Sequence, residues 1–190
     1  MLKDSQGIVW FIASLWMVHL VDLILPIDFN SYGLVPRTLH GLIGIALMPF
    51  LHGSWGHLLG NTIPLCILLF ILLSSRRDYW EVIVSIVLLG GLLLWCFGRS
   101  ADHVGASGLV YGLVAFLIAS GFAERKPVSI LVAILVGFLY GTTLVWGILP
   151  TAGKSVSWDG HLFSAIAGAG TAMILPTSPS PLIKGEGVGG

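Results

Sequence analysis

Residues 107–123 read SGLVYGLVAFLIASGFA, an uncharged apolar run introduced by Gly105-Ala106. A helix crosses a bilayer with roughly 17–25 mostly apolar residues. Helices and closed barrels are the only structures that satisfy every backbone N–H and C=O where water is absent. This run is continuously apolar instead of alternating, so it reads as a membrane helix and not as a barrel strand. Its first residue, Ser107, is polar and flanked by glycines. Polar groups at membrane depth are costly and mark function by default.

Five further segments have the same character: about 8–25, 57–73, 80–97, 128–149 and 159–175. The breaks between the segments carry turn residues and charges: Pro26 to Pro36, Ser74 to Asp78, Gly98 to His103, Glu124 to Pro127, and Pro150 to Ser157. The last segment is short and needs Trp158 or loop residues to complete its reach. Hydrophobic residues make up 56% of the 190 and charged residues 9%, against roughly 25% charged in a soluble domain. The fold class is therefore an all-α membrane protein, a polytopic bundle of six transmembrane helices. Residues 1–176 form one membrane domain. Residues 177–190, rich in Pro, Ser and Gly, have nothing to pack and are expected to be disordered. The formal net charge is zero, so nothing points to nucleic acid, and the bilayer is the implied partner.

The first segment is too long for the apolar core of a typical signal peptide, and no small-x-small cleavage site precedes Pro26, so it reads as a retained helix. Cys66 and Cys96 lie inside apolar segments and read as small buried hydrophobes. With the N-terminus inside, the inner side carries Lys3, Arg76, Arg77, Arg125, Lys126 and Lys184. The outer side carries Arg37, Arg99 and Lys154. Six against three places both termini in the cytoplasm. The first outer loop, about 26–56, contains Gly41, Gly44, Pro49 and Phe50, and its apolar content places it partly in the membrane interface.

In that orientation Ser107, His57, Asn61 and His161 all fall near the outer ends of their segments, at one depth. Gly105 and Gly108 allow a tight turn and close approach at the serine. A helix N-terminus also offers unpaired N–H groups of the kind that stabilise an oxyanion. The alternative for this tetrapeptide is a small-residue helix contact. It is not the Gly-x-Ser-x-Gly elbow, because Leu109 takes the last position. His161 is the candidate base; the alternative is an interfacial histidine satisfied by water. Asp159 is two residues away and does not share its helical face, so a Ser–His dyad is favoured over a triad. His57 and Asn61, spaced i, i+4, share a face and can both donate to one developing oxyanion, or form an interhelical polar clamp. His52 lies off that face and is expected to tie down the loop. Tyr111, one turn below Ser107, can buttress the histidine ring. Gly108 and Gly112 on the fourth segment, with Ser164 and Gly168 on the sixth, form small-residue stripes that let these two helices approach. His19, Asp22 and His103 read as structural. No zinc-site spacing or dinucleotide fingerprint is present.

Taken together, His52-x4-His57-x3-Asn61, Gly105-x-Ser107-Gly108-x-x-Tyr111 and Gly160-His161 resemble the rhomboid intramembrane serine proteases over about residues 8–175. The resemblance implies Ser107 as nucleophile and His161 as general base. It also implies an oxyanion site made by the Ser107 N–H, His57 and Asn61, with no metal or cofactor. The implied substrates are transmembrane or juxtamembrane segments of other membrane proteins, cut at small residues with helix-weakening residues beyond. Two departures stand out. Pro36-Arg37 replaces the family's Trp-Arg pair in the first outer loop, and Ser164 stands in place of a glycine, which is expected to loosen the contact between the fourth and sixth segments slightly. The rival expectations are a rhomboid-like pseudoprotease that binds membrane-protein clients without cleavage, and a small transporter with polar residues lining a pore. Helix five, with Gly137, Phe138, Tyr140, Gly141 and Trp146, is the expected lateral gate for substrate.

Overall fold

All the long apolar runs are helical. The computed structural model describes residues 2–150 and 156–175, with side chains from residue 6 onward. Seven helices follow in order: α1 (Leu2–Ile24), α2 (Leu39–Leu47), α3 (Trp55–Ser75), α4 (Tyr79–Phe97), α5 (Ser107–Glu124), α6 (Pro127–Gly147) and α7 (Trp158–Ile174). Short 3-10 turns at Phe29–Tyr32 and Met48–Phe50 flank α2. The only β pairing among the described residues is one isolated antiparallel bridge between Leu34 and His103. The chain is an all-α membrane protein. Helix ends match the sequence reading within two residues, apart from the start of α1.

Five helices, α1 from Gln6 onward, α3, α4, α5 and α6, are long and apolar enough to cross a membrane. The helix of the sixth segment, α7, has 17 residues, about 25 Å at a rise of 1.5 Å per residue, and falls just short of that class. The expected disordered tail, residues 177–190, lies outside the described residues.

The loop between α1 and α3 holds the one helix the segment reading did not anticipate. Thr38 caps α2 by accepting the Gly41 N–H at 2.9 Å, which satisfies one of the orphan donors of the first turn. Pro36-Arg37 does not leave this loop unanchored. The Arg37 N–H donates to the Trp95 carbonyl at 3.0 Å, and its guanidinium donates to the Gly98 carbonyl at 2.7 Å and to Ser100 Oγ at 3.1 Å. The Trp95 indole returns a bond to the Thr38 carbonyl at 2.8 Å. The loop is thus fastened to the C-terminal end of α4 by polar bonds.

α5 sits at the centre and is buried on all sides, including Leu109, Leu113, Phe116 and Leu117, as expected of a helix that is apolar all round. Its closest partner is α7. A Cβ on Gly168 would fall onto the Gly112 carbonyl, and one on Gly108 would lie 2.9 Å from Ser164 Oγ. Ser164 does not loosen this contact. It is buried, and its hydroxyl occupies room left by Gly90 and Gly108. At the end of the bundle away from Ser107 the buried Arg76 donates to the Asp78 carboxylate at 2.8 and 2.6 Å, and it approaches Glu124 at 3.6 Å. Glu124 in turn accepts from Ser129 Oγ at 2.7 Å. This paired charge joins α3, α4, α5 and α6, the arrangement a buried arginine requires.

The two cysteines differ from the reading as buried hydrophobes: Cys66 is exposed and Cys96 partly so. In a membrane chain an apolar position meets lipid as readily as core, so apolar context does not predict burial.

Gly168→Ala is expected to destabilise the protein by about 1–3 kcal/mol through overpacking against α5. Gly170→Ala, where a Cβ meets nothing within 4 Å, should melt like wild type. Thermal unfolding in detergent checks both, and equal melting of the two variants would contradict the close α5–α7 contact.

Candidate active site

Ser107 is the first residue of α5 and His161 lies in the first turn of α7, so the α5–α7 contact carries them together. His161 Nε2 stands 2.9 Å from Ser107 Oγ. The other ring nitrogen, Nδ1, is 2.9 Å from the Gly147 carbonyl at the end of α6. A carbonyl only accepts, so Nδ1 carries the hydrogen. Nε2 is then a lone pair facing the serine hydroxyl, which donates to it. The Tyr111 ring stacks on the imidazole with centroids 3.9 Å apart and planes 3° from parallel, and its hydroxyl donates to the Thr143 carbonyl at 3.0 Å. Tyr111, one turn along α5 from Ser107, thus lies flat against the His161 ring.

Asp159 does not face His161. Its carboxylate accepts from the Arg99 N–H at 2.8 Å and from the Arg99 guanidinium at 3.2 Å, as the offset of two residues on a helix predicts. The nearby His103 is also occupied. Its ring meets Ser157 Oγ at 2.6 Å and the Arg99 carbonyl at 3.3 Å. Burial holds its pKa below the ordinary histidine value, a shift opposed by the Arg99 carbonyl. Arg99, His103 and Asp159 therefore tie the loop before α5 to the start of α7.

His57 and Asn61 converge as their i, i+4 spacing requires. A Cβ on Gly105 would lie 2.5 Å from His57 Nε2 and 3.3 Å from Asn61 Nδ2. Gly105 also has φ +110°, a left-handed conformation that side chains rarely adopt, so glycine is demanded twice at this point. The Gly105 N–H donates to the Met48 carbonyl at 2.8 Å, which fixes the turn that presents the serine. Ala106, the cap of α5, supplies no side-chain bond to the N–H groups of the first turn.

His52 does more than tie down its loop. Its Nδ1 donates to the Phe50 carbonyl at 3.3 Å. Its Nε2 accepts from Asn61 Nδ2 at 3.1 Å and from the Ala106 N–H at 3.4 Å. It therefore orients Asn61 and steadies the residue before the serine, both as a neutral ring. Burial, reinforced by the neighbouring His57, lowers its pKa to about 4.

Ser107, His57, Asn61 and His161 line a cavity of about 510 Å³, whose far wall includes Arg99 and Asp102. Elsewhere Asp22 accepts from the Phe29 N–H at 2.7 Å and fastens the start of the loop that follows α1. His19 is buried edge-on against Trp55. What sequence reasoning missed is the contribution of α6, since the groups it brings to the site are backbone carbonyls with no side-chain signature.

A family model described as the Rhomboid domain matches residues 39–178. Uncharacterized proteins of Mycobacterium tuberculosis and Mycobacterium bovis are each 39% identical over 178 residues, covering 88% of this chain and 73% of theirs. An uncharacterized protein of Mycobacterium leprae is 36% identical over 177 residues, covering 88% of this chain and 70% of its own.

The low pKa of His52 has a consequence for stability. An unfolded histidine takes up its proton near pH 6.5, while the folded ring resists until about 4. The native state therefore loses stability as pH falls through that window, by up to about 3 kcal/mol. Wild type should accordingly lose more melting temperature than His52→Gln between pH 7 and 4. Parallel pH curves would contradict the buried neutral ring.

Proposed function

The chain belongs to the rhomboid family, and from that premise we propose that it is an intramembrane serine endopeptidase acting on transmembrane or juxtamembrane segments of other membrane proteins. The observation that carries this reading is the 2.9 Å approach of His161 Nε2 to Ser107 Oγ, with the ring tautomer set for proton removal. His161 takes the Ser107 proton as the oxygen attacks the scissile carbonyl. The developing oxyanion is met by the Ser107 N–H, His57 and Asn61. His161 then returns the proton to the leaving amine, and water from the cavity hydrolyses the acyl-enzyme. Preorganised donors in a site shielded from bulk water act strongly because little reorganisation is needed.

Six helices span the bilayer in this reading, α7 completing the set because its polar face is covered by α4 and α5 and its length suffices for a thin crossing. Both termini face the cytoplasm, and the cavity opens toward the outer side. A substrate helix hides its amides in its own hydrogen bonds, so cleavage requires a segment that unwinds readily. Small and helix-weakening residues around the cut are therefore favoured.

A fluorophosphonate probe should label the wild-type protein. Ser107→Ala should abolish labelling, and His161→Ala should slow it by about a thousandfold or more. An unlabelled wild type would favour a client-binding relative without proteolysis, and labelling that survives Ser107→Ala would move the nucleophile elsewhere.

A further inference from the structure

We propose that the outer end of α6 is the positioning element of the base, with the Gly147 carbonyl serving His161 in the role that a carboxylate serves in a Ser-His-Asp triad. This rests on the reading of Ser107 and His161 as nucleophile and base. In a serine hydrolase the third group holds the imidazole in the tautomer that leaves its other nitrogen free for the serine. The nearest carboxylate in sequence, Asp159, is bound to Arg99. The partner of Nδ1 is the Gly147 carbonyl instead, at 2.9 Å.

The ring plane is set from the same helix. Thr143 lies four residues before Gly147, on the same face of α6. Its carbonyl takes the hydroxyl proton of Tyr111, whose ring is stacked on the imidazole. Tautomer and tilt of His161 thus both depend on two α6 carbonyls one turn apart. Gly147 is required there, because a Cβ would coincide with the Tyr111 hydroxyl.

The packing makes this dependence consequential. The buried residues of α6 are Ala133 and Val136, both in its inner half. Beyond them Tyr140 and Leu144 reach the core only in part, and a Cβ on Gly141 meets nothing within 4 Å. The outer half of α6 is a thinly packed arm, and its two polar bonds end on the base and its buttress. Displacing the arm withdraws both carbonyls and frees the imidazole to turn, so base strength at Ser107 is tied to the seating of α6.

Two variants of the full-length protein in detergent test this. Gly147→Ala pushes the turn off Tyr111. Replacing Ile148 by its α-hydroxy acid makes the Gly147 carbonyl an ester, a weaker acceptor, and alters no side chain. Gly170→Ala, where an added Cβ meets nothing within 4 Å, is the control. The readouts are the rate of fluorophosphonate labelling at pH 7 and the imidazole 15N spectrum of His161, which reports the tautomer. Both test variants should label about tenfold or more slowly, and His161 should pass from Nδ1–H to mixed tautomers, while the control keeps both wild-type properties. A wild-type spectrum or a wild-type labelling rate in the ester protein would overturn the proposal, and the ester decides if Gly147→Ala fails to fold. If wild type does not label but its tautomer responds to the ester as expected, the protease reading fails and the positioning stands.

Discussion

The contact between α5 and α7 is the constraint on which the rest depends. Gly112 and Gly168 let two backbones meet where any side chain would intrude. In a bilayer such contact is the main source of helix association, because lipid tails compete fully for apolar side chains. From that contact follow the register of the two helix starts and the meeting of Ser107 with His161. The serine–histidine distance is a consequence of glycine positions more than a turn deeper in the membrane.

Around this axis the polar groups satisfy one another in a graded way. An unpartnered polar group at membrane depth costs several kcal/mol in the harshest reference; His19 is buried without a hydrogen-bond partner among the described residues, but around the site the polar groups are paired. Arg99 binds Asp159, His103 meets Ser157, and His52 receives both Asn61 and the Ala106 amide. The Arg99–Asp159, His103–Ser157 and His52–Ala106 pairs each join segments more than fifty residues apart. The same bonds hold Asn61, the residue before Ser107 and the start of α7 in place, and loss of either partner leaves another buried group unpaired.

Much of this was legible from residue order alone, for definite reasons. Continuous apolar runs have one physical solution in a bilayer, so the long helices followed, and i, i+4 spacing put His57 and Asn61 together. The same spacing logic excluded Asp159 as the orienter of His161. α2 was missed because its nine residues are too few to stand out from the apolar interfacial chain around them, though Thr38 was a cap signal. Cys66 was misplaced because apolar context does not distinguish lipid from core. His52 was underestimated because helical-face reasoning does not apply to a residue that precedes the helix. The role of α6 was invisible, since carbonyls at Thr143 and Gly147 are common to every residue and become specific through tertiary placement alone.

The central claim is that this arrangement cuts peptide bonds within or beside the membrane. The most direct measurement reconstitutes the purified protein in vesicles with single-span membrane proteins and maps the products by mass spectrometry. The account predicts a discrete cut within or next to the span of a substrate whose helix is weakened there, lost in Ser107→Ala. Intact substrates across a panel of such helices, or the same cut with Ser107→Ala, would contradict it.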